Sequence, residues 1–129
     1  MAATRNPGLI KNFGASGAIP AYRIVKLTTG TGSSDDLVTV AVAATDALFG
    51  VTNELSVATG ERVDVVLGGI APVVYGGTVT RGAWLTSDDQ GRAIAATDDA
   101  QQLIGRATLS GVVSDIGAVL ISHAVNRIA

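Results

Sequence analysis

Short apolar runs alternate with short polar or glycine-containing breaks along most of this chain. The clearest run begins at Arg62, where Val63, Val65 and Leu67 occupy alternate positions and Asp64 separates the first two. Because successive side chains of a strand point to opposite faces, this spacing predicts a half-buried strand. Four further runs follow it between glycine-containing turns: Ile70–Tyr75, Thr78–Thr80, Ala83–Thr86 and Arg92–Ala96. Strands this short, separated by such turns, indicate an all-β sandwich or barrel.

The flanking sequence continues the pattern. Further strands are expected at Ala18–Leu27, Leu37–Ala44, Ala47–Thr52, Leu103–Ser110 and Ala118–His123. Only Thr97–Gln102 has a helical signal, because Thr97 or Asp98 can cap a turn whose first residues are acidic. With 129 residues the chain is long enough for one domain. We therefore expect a single small β-barrel or sandwich of short antiparallel strands over residues 18–129, with one short helical turn.

A faint internal echo links two parts of the sequence. Phe49–Thr52 is followed by a connection, a glycine and the run Val63–Leu67, and Ile104–Ala107 is followed in the same way by Ala118–Ile121. Both segments combine an apolar residue before glycine, a short strand and a second apolar strand. The echo predicts two similar strand pairs on opposite parts of a barrel, not a solenoid repeat.

The first seventeen residues differ from the rest of the chain. Their apolar residues Leu9, Ile10 and Phe13 are too few and too clustered to predict a strand or helix. Fixing a backbone costs about 1–2 kcal/mol per residue, whereas burying an apolar side chain returns roughly 1.5–3 kcal/mol. Residues 1–17 are therefore expected to form an extended arm. We predict that residues 1–16 are mobile in the free protein and are ordered partly by strand addition to another chain.

The composition narrows the possible functions. Charged residues make up only 16% of the chain, which favours burial of surface in a homo-oligomer, a dimer or trimer, or on a partner. A formal net charge of -2 gives no attraction to nucleic acid or to an acidic membrane surface. The chain has no cysteine, no apolar run of membrane-spanning length and no signal-peptide core near its start. We expect synthesis in the cytoplasm, no nucleic-acid partner and no membrane partner.

Candidate chemistry is sparse. His123 is the single histidine, and its neighbour Ser122 would point to the opposite face of a strand, so a Ser-His-acid arrangement is not indicated. One histidine without cysteine also excludes the usual zinc sites. The glycine pairs after Leu67 and Tyr75 are not followed by a lysine or a helix, so they are expected at hairpins or corners, not around phosphate.

Three pairs of adjacent acids are the remaining candidates. Asp35-Asp36, Asp88-Asp89 and Asp98-Asp99 are interpreted as solvated turns. A calcium loop around Asp88 and Gln90 would place Arg92 at a ligand position. Paired carboxylates of a hydrolase stay an open alternative, although no aromatic sugar platform accompanies them. We expect that the protein is not an enzyme and that it has no catalytic residue, no cofactor and no metal.

The order of turns and strands from Ile19 to Ile121 resembles that of tailed-phage capsid decoration, or cement, proteins. The segments that carry the resemblance are Phe49-Gly50-Val51-Thr52, Ala58-Thr59-Gly60-Glu61, a Val-x-Val strand ending in Gly68-Gly69, Thr80-Arg81-Gly82, Thr86-Ser87-Asp88-Asp89-Gln90-Gly91-Arg92-Ala93 and Ile104-Gly105-Arg106-Ala107. The resemblance implies a small β-barrel on the outside of an expanded capsid, binding the major capsid protein and stabilising the head. It implies no catalytic residues.

On this hypothesis the N-terminal arm is the expected capsid-binding segment. The candidate contact residues are Arg5, Leu9, Ile10, Lys11 and Phe13. The alternative function left open by the residues is a small-ligand or carbohydrate-binding β-barrel, which would require a large apolar pocket with convergent polar groups.

Overall fold

A computed structural model describes residues 6–28, 36–98 and 100–125. Within these ranges the chain is all-β and contains no helix, which confirms the expected fold class. The strands, in chain order, are β1 (Asn6–Pro7), β2 (Ile10–Ala15), β3 (Ile24–Leu27), β4 (Leu37–Val40), β5 (Leu48–Thr52), β6 (Arg62–Val66), β7 (Gly69–Val74), β8 (Trp84–Ser87), β9 (Ala93–Ala95), β10 (Gln102–Ala107) and β11 (Ile116–Val125).

Five of these strands close into a first barrel in the order β2-β4-β3-β5-β6. Its seam is a parallel pairing of β2 with β4, in which Gly14 lies opposite Leu37 and Ala15 opposite Val38. The remaining pairings are antiparallel. The interior is filled by buried side chains that alternate along the strands: Phe13, Ala15, Ile19, Val25, Val38, Val63 and Val65.

Strand β2 overturns part of the expected N-terminal arm. Residues from Ile10 to Gly14 pair with β6, and Phe13 packs edge-on against Phe49 with ring centroids 5.4 Å apart. The separation of an arm from the barrel therefore does not hold for residues 10–15. The partners that hold β2 come from positions 37–38 and 62–66 of the same chain, and a local count of apolar residues does not include them. Residues 1–5 lie outside the described residues.

The other six strands form a curled sheet in the order β1-β7-β11-β10-β8-β9. A parallel bridge between Tyr75 and Ala93 joins the end of β7 to β9, which brings the two sides of the curl together. Its concave side is filled by Val73, Tyr75, Val79, Leu85, Ala93, Ile104 and Val119. Thr78–Thr80, expected as a strand, contributes only an isolated bridge between Val79 and Gly111.

The two halves repeat the same backbone hydrogen bonds. Ile19 and Val57 exchange two bonds of 2.9 Å, and Val79 and Gly111 exchange two bonds of 2.8 and 3.0 Å. Three more bonds recur as pairs: Ala15 N to Glu61 O with Tyr75 N to Asp115 O, Gly60 N to Ala15 O with Ser114 N to Tyr75 O, and Ala41 N to Ile24 O with Ala96 N to Trp84 O. Residues 10–66 and 69–125 are therefore two copies of one five-strand unit, called here the first barrel and the second barrel.

The echo seen in the sequence belongs to this duplication. Its two strand pairs are β5 with β6 and β10 with β11, both antiparallel. They lie in two different sheets, not on opposite parts of one barrel as expected. The repeat also includes the strands before each pair. Their side chains differ so much between the two halves that the sequence alone does not reveal the repeat there.

The first barrel completes the seam of the second. In the first barrel, Gly14 N donates to Asp36 O across the closing pair of strands. At the matching place in the second barrel, Val74 N donates 3.0 Å to Tyr22 O and Ile24 N donates 2.7 Å to Gly91 O. The segment Tyr22–Ile24 therefore lies between the two edges that would otherwise pair directly.

Side chains strengthen this joint. Arg23 Nη1 donates 2.9 Å to the carbonyl oxygen of Gln90, in the β8–β9 turn. Burial, together with the neighbouring charge of Arg92, lowers the pKa of the Arg23 guanidinium. Ile24, Val51 and Val66, on the outer face of the first barrel, join the core cluster of the second. The outer face of the first barrel is thus part of the second barrel's core, while the interior of the first barrel forms a separate cluster.

The expected helical turn at residues 97–102 is replaced by a bend. Gln101 Oε1 accepts hydrogen bonds from the backbone nitrogens of Thr97 and Asp98, at 2.8 and 3.0 Å. A side chain from the end of the segment thus binds the two backbone nitrogens at its start. Asp99 lies outside the described residues, and β10 begins directly at Gln102.

Candidate functional site

The single histidine serves as a link between strands. His123 Nε2 lies 2.7 Å from the backbone oxygen of Phe49, so that β11 is tied to β5 across the two barrels. Ser122, next to it on β11, is exposed. This geometry engages the imidazole with backbone and gives no arrangement for activating a serine.

The acid pairs have different roles. Asp88 is largely buried, and its carboxylate accepts hydrogen bonds from Gln90 N, Arg92 N and Arg92 Nε at 2.8–2.9 Å. The prediction of a solvated turn is wrong for Asp88, because its oxygens shape the β8–β9 turn that contacts the first barrel. In the part of the chain that the structure describes, no group of three acidic or histidine residues is placed to hold a metal ion. Asp35 and Asp99 are outside that part.

The predicted contact residues of the N-terminal segment do not form one surface. Leu9 and Ile10 are exposed by 61% and 42%. The Lys11 ammonium lies 4.4 Å from the centroid of the Phe13 ring, whose own side chain is buried in the first barrel. Phe13 is therefore a core residue here, and Arg5 is outside the described residues.

Two adjoining depressions lie on the surface of the first barrel. One of about 90 Å³ is lined by Asn12, Asn53, Leu55, Val57, Arg62, Val63 and Asp64. A wider and more open one of about 530 Å³ adjoins it along residues 55–62. Asn12 and Arg62 are hydrogen-bonded to each other, so this is not the apolar pocket that a ligand-binding barrel requires.

The outer face of the second barrel carries several apolar side chains. Strands β7 and β11 present it directly: Ile116 and Leu120 are exposed by 53% and 46%. Their inward-facing neighbours, Val73 and Val119, are buried, which fixes the alternation. We define the β7–β11 face as Ile70, Pro72, Val74, Trp84, Arg106, Ile116 and Leu120, which strand pairing places side by side.

One row of this face carries its single charge. Arg106 lies between Leu120 on β11 and Trp84 on β8. Its guanidinium carbon is 4.4 Å from the centroid of the Trp84 ring, a cation-π distance. Arg106 takes part in none of the ion pairs found among the described residues. Arginine and tryptophan are both enriched at the centres of protein interfaces.

The matching surface of the first barrel is polar or already covered except at Ile10, which corresponds to Ile70 and is exposed. The residues that correspond to Trp84, Arg106 and Leu120 are Ile24, Val51 and Val66, and these are buried against the second barrel. Those that correspond to Pro72 and Ile116 are Asn12 and Arg62. Arg62 donates hydrogen bonds to the side chains of Asn12 and Asp36, and Asn12 donates 3.1 Å to Asp64.

The charge network keeps this polar surface hydrated. The hydrogen bond from Arg62 is the main reason that the pKa of Asp36 lies below its usual value. About half of the side-chain surface of Arg62 and of Asp36 is exposed. The fold therefore accepts polar side chains at these positions, and the apolar residues of the β7–β11 face are not required by it.

Comparison with protein families identifies the chain. The model of a family described as phage cement protein matches residues 13–119, which is more than half of the sequence. The chain belongs to the phage cement protein family. Membership makes it a phage head-associated structural protein, and the resemblance inferred from residues 19–121 is confirmed.

A solved structure has the same fold as this phage cement protein. It is the head fiber gp8.5 N base of bacteriophage phi29, with a TM-score of 0.64 and 20% sequence identity, covering 88% of this chain and 93% of the other. At this identity the likeness concerns the fold. None of the curated proteins matches the chain.

Sequence reasoning missed the surface that this cement protein exposes. The signal was present in Ile70–Tyr75, where residues for both faces of the strand are apolar, and in the matching run of β11. One face of each strand packs in the core. Folding therefore does not explain why the other face is also apolar. Within residues 6–28, 36–98 and 100–125, no helix is long and apolar enough to span a membrane.

Proposed function

We propose that this cement protein binds the outside of the major capsid protein lattice of a phage and stabilises the head without catalysing a reaction. The observation that carries the proposal is the family match over residues 13–119. The engagement of His123 with backbone and of Asp88 with its own turn supports a structural role. The protein is accordingly a component of the virion exterior that is made in the host cytoplasm.

The N-terminal segment contributes to this binding in a reduced form. Leu9, Ile10 and Lys11 are exposed at the start of β2 and remain proposed contacts. Phe13 is removed from the set because it lies in the core. Strand addition by residues 10–15 to another chain is replaced by their pairing within the barrel.

Co-sedimentation with heads tests the proposal. Purified protein is mixed with heads from a phage that lacks it, and the pellet is assayed for bound protein and for resistance of the heads to heat. We expect saturable binding and a higher temperature of head disruption. Full occupancy without any gain in head stability would contradict the stabilising role, and absence of binding would contradict the capsid partner.

The protein is further proposed to act as a homo-oligomer, a dimer or trimer, on the lattice. The low charge content supports burial of part of the surface against other copies. Mass measurement of decorated heads counts the copies bound to each lattice site. Single isolated copies at every site would contradict the oligomer.

A further inference from the structure

We propose that the β7–β11 face is the surface that docks on the head, and that its partner is an apolar patch of the capsid exterior containing an acidic residue opposite Arg106. This inference rests on the proposed function, because it assigns a surface and a partner chemistry to capsid binding. No part of the N-terminal segment is needed for it.

The first argument is the comparison between the duplicated barrels. One fold carries Asn12, Arg62 and Asp64 at positions where the second barrel has Pro72, Ile116 and Ala118. Three other matching positions of the first barrel, Ile24, Val51 and Val66, are apolar and covered by the second barrel, whereas Ile10, which corresponds to Ile70, is exposed. The apolar side chains of the second barrel have no such cover among the described residues, although the fold does not demand them there.

The second argument is charge complementarity. Arg106 is the single charged residue of the face and has no ion-pair partner among the described side chains. A second copy using the same face would bring two guanidinium groups together, and like charges across an interface are unfavourable. A patch with a carboxylate would instead give a charge-assisted hydrogen bond. The guanidinium carbon lies 4.4 Å from the centroid of the Trp84 ring, and this contact holds the charge beside the indole.

The third argument is the composition of the face and of the connection that precedes β11. Val112 and Val113, in the connection just before Ile116, are exposed by 52% and 54%. They are exposed apolar residues close in sequence to the first residue of β11. A sheet face with an aromatic residue and an arginine near its middle has the composition of an interface core.

The decisive experiment compares variants in the head co-sedimentation assay. The double variant Ile116→Lys/Leu120→Lys places two charges on the face at exposed positions, and we expect its affinity for heads to fall at least tenfold with an unchanged urea midpoint. Leu55→Lys alters an equally exposed residue, 63%, on the first barrel, and should bind as wild type. Arg106→Glu should weaken binding, whereas Arg81→Glu, at an exposed arginine outside the face, should not.

The outcomes separate the inference from the function beneath it. Wild-type protein that fails to bind heads contradicts the proposed function. Wild-type binding with equal binding of the double variant overturns the assignment of this face. If the free wild type is oligomeric, and the double variant is monomeric yet binds heads normally, the partner is a second copy and the inference is also overturned.

Oxidative footprinting of Trp84 tests the same point without a substitution. The indole should be labelled in the free protein and protected on heads. Equal labelling in both states would overturn the inference even if the lysine variants failed to fold.

Discussion

The two barrels have one topology but distribute side-chain volume differently. At equivalent positions the first barrel has Ala15 and Val63, whereas the second has Tyr75 and Gly117. The Tyr75 ring lies where a Cβ on Gly117 would be, and its hydroxyl donates 2.6 Å to Leu109 O. Burial raises the pKa of this hydroxyl. The two barrels thus share one backbone path, but each fills its interior with a different combination of side chains.

The outer surfaces diverge for a different reason. In the interior, both sets of side chains satisfy the same requirement of close packing. Outside, Asn12 and Arg62 meet water while Pro72 and Ile116 form an apolar surface. A difference between interior side chains therefore reflects two ways of filling the same volume. A difference between outer side chains reflects what each barrel contacts.

The largest effect is expected from Gly117→Ala. A Cβ there would meet the Tyr75 ring at its Cζ atom, so the ring or β11 must move. Overpacking of this kind costs roughly 1–3 kcal/mol, occasionally more, which urea unfolding measures directly. Gly77→Ala is the control, since its Cβ meets only Ile94 at an ordinary 3.8 Å. In a Tyr75→Ala background, Gly117→Ala should lower the free energy of unfolding by less. If the loss is unchanged, the clash with the Tyr75 ring is not its cause.

The joint between the barrels should show the next largest effect. Gly91 has a φ of +73°, and a Cβ there would lie 2.9 Å from Ile24 O and 2.7 Å from Val40. Gly82 has a φ of +93° with nothing within 4 Å, so it shares the backbone strain without the contact. We expect Gly91→Ala to lower the free energy of unfolding by about 1–2 kcal/mol more than Gly82→Ala. Equal losses in urea unfolding would mean that the joint is adaptable.

A third test uses a turn that both barrels contain. In the first barrel, Val42 N and Ala43 N donate to the Asp46 carboxylate at 2.9 and 3.0 Å, and the matching acceptor in the second barrel is the Gln101 amide. Burial alone would raise the pKa of Asp46, but these bonds and the Lys26 ammonium, 3.3 Å away, lower it overall. Asp46→Asn should therefore destabilise the protein at neutral pH by about 1 kcal/mol.

The pH dependence follows from the depressed pKa. The side chain of an unfolded aspartate titrates near pH 3.9. Above about this pH, the Asp46 carboxylate makes its full contribution to the free energy of unfolding. The contribution disappears as pH falls through the lower folded pKa. The stability difference between wild type and Asp46→Asn should shrink below about pH 4, whereas the loss caused by Gln101→Ala should not vary. A difference that persists undiminished to pH 2 would contradict this account.

The smallest effect is expected at the polar surface of the first barrel. Arg62→Ala removes hydrogen bonds to Asn12 and Asp36, but all three side chains are exposed and solvent screens the ion pair. The urea midpoint should shift less than in any of the preceding variants, and the shift should vanish in high salt. A loss comparable to that of Asp46→Asn would show that this network supports the fold.

Much of the fold could be predicted from the sequence, because alternation at Val63, Val65 and Leu67 and the glycine breaks determine strands locally. Strand β2 could not, since its pairing partners are distant in sequence and only the closed barrel supplies them. The bend at residues 97–102 was missed because the pattern of a capping residue followed by acids is compatible with both a turn and a helix, and the hydrogen bonds from Thr97 N and Asp98 N to Gln101 are not visible in that pattern. The candidate surface escaped prediction because an apolar residue facing out and one facing in look alike in a strand.

The segment Tyr22–Ile24 also gives the molecule a direction of assembly. The first barrel closes with its own strands, but the seam of the second accepts backbone from the first. During synthesis the N-terminal unit emerges first and can complete itself, and it then serves as the template on which the later unit closes. A chain released early would hold a finished barrel, whereas the later half made alone would have unpaired edges at its seam, the kind of edge that recruits other strands and aggregates.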